Sequence, residues 1–177
     1  FAFSKDSDSG QANDKVASGD SGALAAGWDL TLEATSDMHG IEGLKVFGGI
    51  SEVDQFQNAA TIDGDKEETV LGVTYAVGSF SAGYQITEED TGMTGVTGYD
   101  NTAYSVTFSV NDDLSIGYNF TESDGKGSTV DPEAQSLQAA YTMGGATFSI
   151  AEVDVDNAGY TASSSKDATI ISLGLAF

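Results

Sequence analysis

Residues 69–87 read TVLGVTYAVGSFSAGYQIT, and two runs of strict alternation meet inside them. Thr69, Leu71, Val73, Tyr75 and Val77 share one parity, and Val70, Gly72, Thr74 and Ala76 share the other. After Gly78-Ser79 the pattern resumes, with Phe80, Ala82, Tyr84 and Ile86 set against Ser81, Gly83, Gln85 and Thr87. A period of two places successive side chains on opposite faces of a strand. A Gly-Ser pair between two such runs is a tight hairpin connection. The stretch therefore predicts two antiparallel strands, each with one large apolar face and one face of small or polar groups.

The same pattern extends in both directions and gives ten segments in all. Upstream lie a stub at Phe1–Lys5, a run from Gly22 to Thr35 and a run from Leu44 to Ser51. In the last of these, Phe47 falls on the polar parity. Downstream, Tyr104, Val106, Phe108 and Val110 oppose Ala103, Ser105, Thr107 and Ser109. Leu114–Phe120, Leu137–Met143, Ala146–Ile150 and Thr169–Phe177 repeat the arrangement. Short connections (Ser36–Gly43, Gly78-Ser79, Asn111–Asp113, Gly144-Gly145) alternate with long ones (6–21, 52–67, 88–101, 122–134, 152–167). Short turns therefore gather at one end of the sheet and long loops at the other, and no internal domain boundary interrupts residues 1–177.

Composition narrows the class. In 177 residues there are 28 Asp and Glu against 6 Lys and no Arg, a formal net charge of −22. Nucleic-acid binding needs a basic stripe to displace counterions, and the chain has none. With no Cys and a single His (His39), thiolate chemistry and multi-His metal sites are excluded. No apolar run approaches the roughly 20 residues of a membrane helix. Most of the acidic residues fall in the long connections, which makes one end of the molecule polyanionic.

Two architectures accommodate the pattern. In a soluble sandwich the apolar faces pack together and the polar faces meet water. Here the polar face is rich in Gly, Ala, Ser and Thr and poor in the Lys and Glu that cover soluble strands. The apolar face runs five or six positions per strand, close to the roughly 9–11 residues of a tilted transmembrane strand. Aromatic residues collect toward the short turns (Tyr75, Phe80, Phe108, Tyr141, Phe148, Phe177), with a second set (Phe1, Phe3, Tyr118, Phe120) toward the long loops. The predicted class is all-β, an antiparallel transmembrane β-barrel with the apolar face on lipid and the small face around a lumen.

The last segment, Ile171-Ser172-Leu173-Gly174-Leu175-Ala176-Phe177, resembles the terminal strand of bacterial outer-membrane proteins, with apolar residues at alternate positions ending in Phe. Over the whole chain, the alternation, short turns and acidic long loops resemble the Gram-negative general porins, those of alphaproteobacteria in particular. The resemblance implies a bacterial outer-membrane location, recognition by the barrel-assembly machinery and a homotrimer. It also implies passive diffusion of small hydrophilic solutes, with lipid and lipopolysaccharide as neighbours. Porin barrels have about 16 strands. The first segment is too short to span, and the chain opens at Phe1 as a processed or cut product would. The chain is expected to supply the last ten strands of such a barrel; a complete small barrel of about ten is the other arrangement.

No cofactor is required on this reading, and no enzyme is expected. His39 lies in a short turn, far from any outer-rim partner, so no nucleophile–base pair can be assembled. The lumen parity carries Asp29, Glu33, Lys45, Gln85, Asn119 and Gln138 among small residues, and these are the expected pore-lining groups. Asp29 and Glu33 facing Lys45 either pair or set a transverse field. General porins usually oppose a basic cluster to an acidic loop, and a chain without Arg departs from that pattern. The expected channel is therefore cation-preferring. Glu152, Asp154 and Asp156 share one parity and offer hard oxygen ligands for Ca²⁺ or Mg²⁺, as do Asp63, Asp65 and Glu67. The competing function is a small closed barrel that acts as a surface receptor or adhesin through its acidic loops.

Overall fold

The computed structural model describes residues 2–6, 24–55, 64–95 and 98–175. They form one ten-stranded antiparallel sheet in chain order, without a crossover. The strands are β1 (Ala2–Asp6), β2 (Leu24–Ala34), β3 (Leu44–Gln55), β4 (Lys66–Val77), β5 (Phe80–Asp90), β6 (Tyr99–Ser109), β7 (Leu114–Gly125), β8 (Glu133–Met143), β9 (Ala146–Asp156) and β10 (Lys166–Leu175). Among the described residues β1 and β10 do not pair with each other, so the sheet is open. Residues 7–21 of the first long connection, and Phe1, Asp63 and Phe177, lie outside the described residues.

The short turns form where the sequence requires them. Gly78 and Gly144 adopt positive φ at the β4–β5 and β8–β9 hairpins, which the tight primed turns need. At the β2–β3 connection a single helical turn, α1 (Ser36–His39), replaces the simple loop that the sequence suggested. It ends on Gly40 at φ 77°, a left-handed C-terminal cap. Gly43 follows at the same φ, and a Cβ there would run into the Ala76 carbonyl.

The strands are longer than their alternation. Periodicity ends β3 at Ser51, β5 at Thr87 and β9 at Ala151, yet the hydrogen-bonded ladders continue to Gln55, Asp90 and Asp156. Many acidic residues assigned to long loops therefore stand on strand extensions. Beyond the lipid both faces of a strand are wet, so the apolar signal stops while backbone pairing goes on.

Register determines which residues share a face. Phe80 pairs with Phe108, Tyr84 with Tyr104, Tyr104 with Phe120 and Tyr141 with Phe148. Leu71, Tyr75, Phe80, Tyr84, Ile86, Leu137, Phe148, Ile171, Leu173 and Leu175 are all exposed. The edge strand β10 is exposed on both faces, whereas along β5 and β9 the neighbours of opposite parity are more sheltered. That is the expected difference between the outside and the inside of a curved sheet. Among the described residues Val53 is the only buried hydrophobic side chain, and no large side chain is fully buried. The apolar faces are thus not pressed into a dry interior. So extensive an exposed apolar surface is foreign to a soluble monomer and ordinary on the lipid side of a membrane barrel.

Candidate functional site

The sheltered face is built of rows that cross the sheet. One row runs Asp29, Ser51, Glu68, Glu89 and Tyr99, and the next runs Thr31, Gly49, Val70, Thr87 and Asn101. Apart from Tyr99, these residues line a hollow of about 320 Å³. Lys66, only 9% exposed, bridges Glu68 at 3.0 Å and Glu89 at 3.2 Å beside this hollow. Asn101 donates to Thr87 Oγ1 at 3.0 Å.

Further toward the short turns, Lys45 and Glu33 form an ion pair at 3.3 Å, with both side chains about half exposed. The Phe47 ring lies beside them across Gly72. Gln85, Ser105, Asn119 and Thr121 surround a second hollow of about 220 Å³. Asn119 donates to Ser136 Oγ at 3.3 Å, and Gln138 stands against Gly117.

The expected lumen residues Asp29, Glu33, Lys45, Gln85, Asn119 and Gln138 thus share one face but are not gathered at one point. Lys45 takes Glu33 as partner, and Asp29 sits opposite Ser51, in the row that leads to Glu68. Sequence reasoning missed Lys66, Glu68 and Glu89. They stand at or beyond the ends of the alternating runs, and carrying the parity of Gly72 and Gln85 outward finds them.

Among the described residues, most of the acid stands on the opposite face. By register Glu52 aligns with Glu67, Glu67 with Asp90, Glu88 with Asp100, Asp100 with Asp124, Glu122 with Glu133 and Glu133 with Asp156. Asp154 aligns with Asp167. All share the parity of the large apolar residues. The polyanionic end is therefore largely a belt on the outer surface, with fewer acids lining the mouth than the sequence suggested. Glu152, Asp154 and Asp156 stand at alternate positions on β9 within this belt. Glu152 accepts from Thr169 Oγ1 and Asp156 from Ser165 Oγ, both at 2.7 Å. Among the described residues, the carboxylates that converge within 4.8 Å are Glu52, Asp54 and Asp65; Glu67 of the second expected set is not among them.

The long connections are tied down at the rim. Lys126, between β7 and β8, bonds Glu88 at 2.9 Å and lies 3.6 Å from Asp100. The hydrogen bond to Glu88 holds its ammonium above the ordinary lysine value. Tyr160, between β9 and β10, adopts φ 56°, which is uncommon for a residue with a side chain. Its ring packs on Gly125 and 5.5 Å from the Tyr99 ring, and its hydroxyl shares a 2.6 Å hydrogen bond with Ser123. Ser123 in turn donates to Asn101. Ser123, Gly125, Tyr99 and Asn101 all belong to the sheltered face, so this connection folds inward. His39 lies at the other end; its Nδ1 accepts from the Ile41 amide at 3.2 Å.

Comparisons with known proteins agree with this geometry. No curated protein sequence matches the chain. A solved structure, a mutant form of the porin from Rh. blastica, superimposes with a TM-score of 0.58 at 20% identity. The match covers 86% of this chain and 45% of that one, so the chain spans less than half the length of its structural relative. The Gram-negative porin family matches residues 3–177. An antiparallel meander with an oily outer face, a hydroxyl-rich inner face and a family match along nearly its whole length belongs to the Gram-negative porins of the bacterial outer membrane.

Proposed function

We propose that this chain forms wall of a water-filled, cation-preferring channel for passive diffusion of small hydrophilic solutes, within a larger trimeric barrel. The observation that carries the reading is the division of faces. Large apolar side chains occupy one parity from β3 to β10, and the other is mostly Gly, Ala, Ser, Thr and amides, with Phe47, Val70 and Ile170 as exceptions. Unpaired backbone groups in hydrocarbon cost several kcal/mol each. The free edges of β1 and β10 therefore call for further strands, which favours a larger barrel over a closed ten-stranded one.

Cation preference follows chiefly from the rim, since acids on the sheltered face are largely matched by lysines. The hollow beside β2–β5 holds Asp29, Glu68 and Glu89 against Lys66. The acidic belt adds a negative field at the mouth that raises local cation concentration. Divalent cations at that belt would relieve repulsion and bridge to lipopolysaccharide phosphates. Single-channel recording of the native pore in planar bilayers tests the channel. Stable conductance steps are the expected result, and a barrel that serves only as a receptor would give none.

A further inference from the structure

Phe47 is the one large aromatic side chain of β3 at the sheltered parity, and its placement is specific. At Gly72, opposite Phe47 on β4, a Cβ would stand 2.7 and 2.8 Å from ring atoms Cε2 and Cε1, and closer still to Cζ. An edge-on ring would bring Cζ close and leave both ε carbons well behind it; that all three approach this closely puts the flat of the ring tip over the glycine. One face of the ring is against the wall, and the other looks into the lumen.

Beside it lies the hollow of about 220 Å³, none of whose lining residues is acidic or basic. That volume is below the usual range for drug-sized ligands and suits a single ring. Gln85 follows Gly72 in the same cross-sheet row, and its carboxamide has no hydrogen-bond partner among the described residues. Ser105 and Thr121 likewise have none, and the Asn119 amide nitrogen is engaged with Ser136 while its oxygen is not. An aromatic face bordered by free amide and hydroxyl groups matches one ligand chemistry well. A pyranose has an apolar face of C–H groups and an edge of hydroxyls that both donate and accept.

We propose that Phe47, Gln85, Asn119, Ser105 and Thr121 form a wall subsite for neutral pyranose sugars, with the sugar ring stacked on Phe47. The subsite rests on the channel reading and refines it: sugars pass with a pause, and charged solutes do not. A cationic solute finds no charge in this hollow and is expected at the Asp29–Glu68–Glu89 hollow instead. Open to water on one side, the subsite binds weakly, in the millimolar range.

The test is conductance of the native pore in planar bilayers, titrated with glucose and maltose. Sorbitol serves as an acyclic polyol of the same hydroxyl chemistry, and tetramethylammonium as an organic cation. Saturable current reduction by the two sugars, absent with sorbitol, is expected. Phe47→Leu keeps bulk over Gly72 and removes the aromatic face; it should weaken the sugar effect, read as half-blocking concentration against each variant's own open-channel current, about threefold to tenfold. Gln85→Ala should weaken it as well. Equal responses to glucose and sorbitol, a stronger block by tetramethylammonium that Phe47→Leu relieves, or full sugar block in Phe47→Leu would overturn the subsite. If stable steps themselves are missing, the channel falls and the subsite with it; steps that ignore Phe47→Leu remove the subsite alone.

Discussion

At Gly72 the wall has no room to spare. Phe47 occupies the space that a side chain would fill, so Gly72→Val forces the ring off the strand or bends it. The ring tip must move to make way, and the expected result is a lower urea midpoint for the detergent-solubilised protein. An unchanged midpoint would show that the ring does not rest there. The pair of residues also explains the one break in the alternation of β3. Phe47 sits on the polar parity because a glycine on the next strand makes room for it, a long-range relation that no local window reveals. Lys126 allows a second prediction. Its folded value is raised by the Glu88 hydrogen bond, so its contribution is fully present below the ordinary lysine value of 10.5 and is lost as pH climbs through the folded value above it. NMR titration of isotopically methylated lysines should show Lys126 deprotonating at higher pH than a free lysine; deprotonation at or below that of a free lysine would break the assignment.

The elements divide into those that alternation reveals and those that it hides. Nine of the ten segments, all but the stub at the start, are legible because a lipid-facing strand must be apolar at every second position. The extensions of β3, β5 and β9 were hidden, since Glu52, Asp90 and Asp154 carry the ladder through water, where no apolar signal is needed. The inward fold of the 157–165 connection was hidden for a different reason. It depends on a left-handed tyrosine meeting Gly125, Tyr99 and Ser123, three residues spread over two other strands. Tyr160→Ala removes this tie and leaves the membrane ladder intact. Greater open-channel current noise with little change in thermal stability is expected in bilayer and melting measurements. A quiet channel would mean that the connection is held elsewhere.

Across the whole molecule, charge was predicted better in amount than in direction. The sequence places the acid at one end, and register then turns most of it to the outer face. The sheltered face has acids and lysines close to balance: among the described side chains Asp29, Glu33, Glu68 and Glu89 face Lys45, Lys66 and Lys166. The belt acts at a distance, and the Debye length shrinks from about 10 Å at 0.1 M salt to about 3 Å at 1 M. Reversal potentials should therefore show cation preference that weakens steeply as KCl rises. Anion preference at low salt would contradict the charge argument, and a salt-independent preference would place its source inside the wall.

Among the described residues, each strand of the meander pairs along its backbone only with strands adjacent in sequence. A chain held that way comes apart like a zip when pulled. Drawn from one terminus by a cantilever tip, the sheet should yield in successive hairpin-sized steps, each releasing two strands and their turn. The same geometry lets a damaged hairpin fail under load without dragging its distant neighbours out of the bilayer.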